Sequence, residues 1–213
     1  MFMPLLLQTP AEATKPLTQR YWFKANVWIA IYSFIGNYFW THYFYTLLGA
    51  SYTFTAHRLN DVPITLFLMT HAYFALYHSL ANVLIRYARA LTRSKGSTYQ
   101  CLAEAAVIFV LAYATAYGET LTIAHYPHYK FTNKEKMYTV GSLFYAIYFF
   151  VSFPMFFRMD EDAKKPYSLW RVIVDALGAG MLVTCLLDFW RISFGSIHGI
   201  FGTSSGLPWS AGM

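Results

Sequence analysis

The chain has 213 residues, of which 57% are hydrophobic, 20% aromatic and only 12% charged, with a formal net charge of +6. Soluble domains carry about 25% charged residues, so the composition excludes an ordinary soluble domain and leaves no room for one beside the apolar segments. No Lys/Arg stripe lies on a soluble helix or strand pattern, which argues against nucleic acid; membrane topology and anionic headgroups explain the positive charge instead.

In chain order, Met1–Leu7 is apolar but too short, and lacks the leading basic residues, to be a signal peptide. It reads as the stub of an upstream helix within an N-terminal segment, residues 1–26. Apolar stretches follow near Val27–Gly49, Pro63–Ile85 and Cys101–Ala124. The next, from Met137, has 21 uncharged residues before Arg158, and Trp170–Phe194 is the last. Each is close to the roughly 20 residues a helix needs to cross a ~30 Å hydrocarbon core. The expectation is an all-α fold, a polytopic helical membrane bundle of about five transmembrane helices over residues 27–194. The tail, residues 195–213, carries Gly199, Gly202, Gly206 and Pro208 and reads as loop. Cys101 and Cys185 fall inside spans without metal spacing, so buried, inert thiols are expected and no metal site.

Basic residues set the orientation. Eleven Lys and Arg lie in the N-terminal segment, after the second span and between the fourth and fifth; five lie on the other side. The N-terminus is therefore expected in the cytosol and the C-terminal tail in the lumen.

The first and fourth spans are crowded with aromatics at mid-depth, beyond what an interfacial belt needs. Tyr38, Trp40, Tyr145 and Tyr148 are among them. Such walls suit a flat, rigid, apolar ligand, and their π-faces stabilise a transient cation. Ionisable groups are costly in a bilayer and normally face the bundle interior. Asn37 and His42 lie in the first span, His71, His78 and Asn82 share a face of the second, Glu104 and Glu119 lie in the third, and Asp175 and Asp188 in the fifth. Asp175 has Arg171 four residues before it, so an ion pair at the interface is its simplest role, and Asp188 has an equivalent option in Arg191. Glu119 has no Lys or Arg within four residues; a protonated carboxyl in an apolar pocket is what a general acid requires. By depth, His42, His71, Glu119 and Asp188 share the luminal half, with Asn37 near the midplane and His78 further towards the cytosol.

Several motifs carry a family resemblance: RYWFKAN (Arg20–Asn26), GNYFWTHYF (Gly36–Phe44), LGASYTF (Leu48–Phe54), the Thr70-His71 pair, FYAIYFFVSFPMFFRMDE (Phe144–Glu161), RVIVDALGAGMLVT (Arg171–Thr184), LDFWR (Leu187–Arg191) and SGLPW (Ser205–Trp209). From about Arg20 to Trp209 the chain resembles cycloeucalenol cycloisomerase, the cyclopropyl-sterol isomerase family of plant-type sterol synthesis. The resemblance implies a membrane enzyme of the endoplasmic reticulum that opens the 9β,19-cyclopropane ring of cycloeucalenol to give obtusifoliol, with no redox cofactor and no metal. Its partners would be the sterol and membrane lipids; the sequence names no protein partner. Plant members carry further apolar sequence ahead of the RYW motif, where this chain has Met1–Leu7.

Ring opening needs a proton delivered to the bridging methylene, a cation on the adjacent ring carbon, and loss of a neighbouring proton. The resemblance assigns no side chain to these steps. By depth and chemistry, Glu119 is the candidate acid with Asp188 as the alternative, and His71 is the base or relay. Asp188 and His42 would tune or orient these groups, Asn37 would bind the sterol hydroxyl or support a side chain, and Tyr38, Trp40, His78, Tyr145 and Tyr148 would contact substrate. A sterol double-bond isomerase uses the same acid–cation–base logic and is a second reading. A non-enzymatic sterol-binding or transport protein is a third, weakened by the lack of a partner for the Pro154-containing span.

Overall fold

The computed structural model describes residues 10–197; the Met1–Leu7 segment and the SGLPW motif lie outside them. The first expected span is built in three pieces. Helix α1, Tyr21–Ile35, runs into a five-residue π-helical turn, Gly36–Trp40, and then into α2, Thr41–Leu48. Gly36 leaves room for the Trp40 ring, which a Cβ there would approach to 3.1 Å. Gly49 ends α2 in the left-handed region, at φ 62°, where glycine meets no steric penalty.

Two short ribbons follow that the all-α expectation did not include. Strands β2 (Arg58–Leu59) and β3 (Val62–Pro63) form a hairpin around Asn60 and Asp61, both at positive φ as a two-residue hairpin turn demands. Strand β1, Ala50–Tyr52, pairs antiparallel with β4, Tyr129–Phe131, setting Tyr52 directly opposite Tyr129. The ribbon thus joins the segment after α2 to the one before the fourth expected span.

Helix α3 covers Ile64–Thr92 and α4 Ser97–Ile123. A second π-helical turn, Met137–Gly141, leads into α5, Ser142–Phe157, which contains Pro154; α6 is Leu169–Phe194, capped by the Ser168 hydroxyl accepting the Arg171 amide. Helix α5 packs against α3, α4 and α6, while α1 lies against α3 and α6. Close approach of α1 and α6 depends on small residues: Ala176, Ala179 and Gly180 are buried.

Polarity is inverted relative to a soluble protein. Leu76, Val83 and Leu91 on α3, Leu102, Phe109 and Val110 on α4, and Met181, Phe189 and Ile192 on α6 are exposed, whereas Lys24, Asn37, His71, His78, Asn82 and Ser152 are buried. Water would oppose this arrangement and lipid favours it. Among the described residues three helices, Ser97–Ile123, Lys134–Phe157 and Leu169–Phe194, are long and apolar enough to cross a membrane. Both cysteines are exposed on helices, against the expectation of burial. The reason is periodicity: presence in a span does not fix which face a residue takes.

One end of the bundle is held by ion pairs drawn from the RMDE sequence that follows α5. Arg158 pairs with Asp175 on α6, Asp160 with Lys24 on α1, and Glu161 with Arg86 on α3. Arg89 and Glu104 join α3 to α4 at 2.7 Å. Asp175 therefore takes Arg158 rather than its own-helix neighbour Arg171, whose guanidinium lies over the Tyr167 ring at 3.7 Å. Asp160 also accepts the Tyr167 amide at 2.7 Å.

Candidate active site

The other end of the bundle encloses a cavity. Gly36, Asn37, Thr41 and Phe44 line it from the first π turn and α2, and Thr70 and Phe74 from α3. Glu119, Thr120 and Ile123 come from α4, Tyr145 and Tyr148 from α5, and Tyr52 and Tyr129 from the ribbon. Its volume is about 60 Å³, near that of two waters at ~30 Å³ each and well below the ~300–1,000 Å³ of small-molecule pockets. In this structure the space is narrow.

Glu119 is the carboxylic acid among the lining residues. The Tyr145 hydroxyl donates to its Oε2 at 2.7 Å, and Tyr77, one turn beyond Phe74 on α3, lies near this carboxyl. Among the described residues no cation is paired with it. The Tyr145 phenol orients the carboxyl through one oxygen and leaves the other for a ligand. Burial holds the ribbon phenols of Tyr52 and Tyr129 above the ordinary tyrosine range, so the roof of the cavity is uncharged.

The expected site residues divide into two groups. Glu119, Asn37, Tyr145 and Tyr148 meet at the cavity. Asn37 is engaged at both ends of its amide, donating to the Ser33 carbonyl at 2.9 Å and accepting from Thr70 at 3.3 Å. The rest lie outside the lining. His71 follows Thr70 but turns away, and its Nε2 donates to the Asn26 amide oxygen at 3.1 Å. Asp188 accepts from Arg191 at 2.7 Å and from the Tyr43 hydroxyl at 3.3 Å. Trp40 backs the Tyr148 ring at 4.6 Å and donates its indole N–H to Thr184 at 2.9 Å. Tyr38 stacks on Phe34 at 5.6 Å, and His42 is buried beside Tyr45 on α2.

His78 has a structural role that its fully buried position explains. Its Nδ1 lies 2.7 Å from the Phe74 carbonyl, which can only accept, so Nδ1 carries the hydrogen and Nε2 accepts from Ser152 at 2.9 Å. Both nitrogens are satisfied, and the ring ties α3 to α5. Sequence reasoning missed Tyr77, Thr70, Tyr52 and Tyr129. Tyr77 carries a usable signal, lying between His71 and His78 one residue from the polar stripe; the ribbon tyrosines carry none, because their pairing is long-range.

In an alignment that covers 97% of its length, the chain is 50% identical to the Arabidopsis thaliana protein named cycloeucalenol cycloisomerase, and it covers 75% of that protein. No family model matches the chain, and no solved structure matches it.

Proposed function

The chain belongs to the cycloeucalenol cycloisomerase family, and on that footing we propose how it isomerises a cyclopropyl sterol. The observation that carries the reading is an acid with no cationic partner, hydrogen-bonded by Tyr145 at 2.7 Å and opening on an aromatic-lined cavity. Glu119, in its protonated form, delivers its proton to the bridging methylene, which becomes a methyl group as the cyclopropane bond breaks. The electron deficit passes to the adjacent ring carbon, where the faces of Phe44, Tyr145 and Tyr148 stabilise it. The Glu119 carboxylate left behind then takes a proton from the neighbouring carbon, and the ring double bond forms. One proton enters and one leaves, so the residue is restored in each turnover and no separate base is needed. Tyr145 holds the carboxyl at Oε2 through both steps.

The protein works as an integral membrane enzyme of the endoplasmic reticulum, with residues 1–26 cytosolic, 27–194 forming the catalytic membrane domain and 195–213 luminal. The Lys/Arg asymmetry supports this orientation. A count of five spans, beyond the three helices named above, gains support from α3: its polar His71, His78 and Asn82 are buried, while its outer face is apolar.

Glu119→Gln keeps the shape of the side chain but has no carboxyl proton. In membranes supplied with cycloeucalenol, ring-opened sterol should form about 10²–10⁴-fold more slowly than with the wild-type chain. Turnover at the wild-type rate would remove Glu119 from the mechanism.

A further inference from the structure

Tyr148 lines the cavity, is only 4% exposed, and its hydroxyl has no hydrogen-bond partner. A buried, unsatisfied hydroxyl is costly and calls for an explanation. The neighbouring tyrosines are all engaged: Tyr145 with Glu119, Tyr43 with Asp188, Tyr45 with the Asp61 carbonyl and Tyr32 with the backbone carbonyl of Tyr148 itself. Around the Tyr148 phenol stand the rings of Trp40 at 4.6 Å, Tyr145 at 5.0 Å and Phe44 at 6.0 Å. A proton relay needs a next acceptor, and this hydroxyl has none, so it does not serve the second proton transfer. Asn37, the other candidate for a ligand hydroxyl, already uses both ends of its amide.

We propose that the Tyr148 hydroxyl binds the single hydroxyl group of the sterol and so fixes which part of the ring system faces Glu119. This inference rests on the sterol-isomerase reading and adds a specificity-determining residue to it. A sterol is apolar apart from that hydroxyl, so a lone polar contact decides the direction in which a nearly featureless plate lies in an aromatic slot. A site built to meet a hydroxyl rejects an analogue without one, because the protein group is then left unpaired. Tyr148 is thus a gauge of orientation, and Glu119 acts on whatever carbon that orientation presents.

The test pairs two proteins with two ligands. Wild-type chain and Tyr148→Phe are compared for binding of cycloeucalenol and its 3-deoxy counterpart by tryptophan fluorescence, with Trp40 close enough to report, and for ring opening of both. Wild type should bind the hydroxylated sterol about tenfold more tightly than the deoxy form, and Tyr148→Phe should bind the two within about twofold. Ring opening of the hydroxylated sterol by the variant should lose a similar factor in kcat/KM. The variant should melt no lower than wild type, since no internal hydrogen bond is removed. Equal discrimination by the two proteins overturns the proposal and assigns the hydroxyl to water. Failure of the wild type to open the ring while still favouring the hydroxylated sterol sinks the isomerase reading alone. Wild type that binds neither ligand sinks both.

Discussion

At the scale of single residues, the candidate site is a carboxyl held by the Tyr145 phenol. Tyr145→Phe removes the 2.7 Å bond to Glu119 and keeps the ring proposed to face the cation. Its expected effect is a fall of about tenfold in kcat with little change in KM, read from steady-state sterol conversion, because the interaction orients the acid rather than the substrate. A larger change in KM than in kcat would assign Tyr145 to binding. Glu119 is legible in the sequence because its isolation from Lys and Arg is a local property. Partners from other helices are not legible: Arg171, four residues from Asp175, is the obvious choice by spacing, yet Arg158 takes that carboxylate. For the same reason depth alone gathered His71, Asp188 and Glu119 into one layer, whereas the direction of each side chain around its helix divides them.

At the scale of elements, the contact of α1 with α6 turns on which glycines face inward. A Cβ at Gly180 would come within 2.7 Å of Ile35 Cδ1, and one at Gly178 meets nothing within 4 Å. Gly180→Val should therefore cost about 1–3 kcal/mol through overpacking, while Gly178→Ala should be neutral or stabilising by up to about 1 kcal/mol from helix propensity. Thermal unfolding in detergent separates the two, and equal melting would mean that α1 and α6 do not meet there. The small-residue run of α6 is visible in the sequence; its inward half is not. The two π-helical turns are also hidden. Each sets a glycine against a bulky side chain four positions away, Gly36 against Trp40 and Gly141 against Met137, and such pairs are common in ordinary helices. What distinguishes these is tertiary: both turns lead into helices that line the cavity.

At the scale of the whole molecule, the two ends of the bundle differ in kind. The ion-paired end depends most on Lys24, which is 1% exposed and bonds Asp160 and the Tyr167 carbonyl. Asp160→Ala strands that ammonium and should cost about 3–5 kcal/mol. Glu161→Ala breaks the more exposed pair with Arg86 and should cost about 1 kcal/mol or less. Comparing the melting of both variants with wild type checks the ranking, and the reverse order would contradict the burial of Lys24. The apolar spans make the membrane class plain from composition, and the RMDE motif stands out as charge after a long uncharged run. That its charges reach three different helices follows from packing alone.

The narrowness of the cavity at the opposite end bears on fidelity. A tertiary cation that encounters solvent is captured as an alcohol, a dead end for an isomerase. At about 60 Å³ the space is smaller than a sterol ring system, so the rings must part its aromatic walls to enter and then fill the room through which solvent would reach the cation. Elimination, rather than hydration, is then the outcome open to the intermediate.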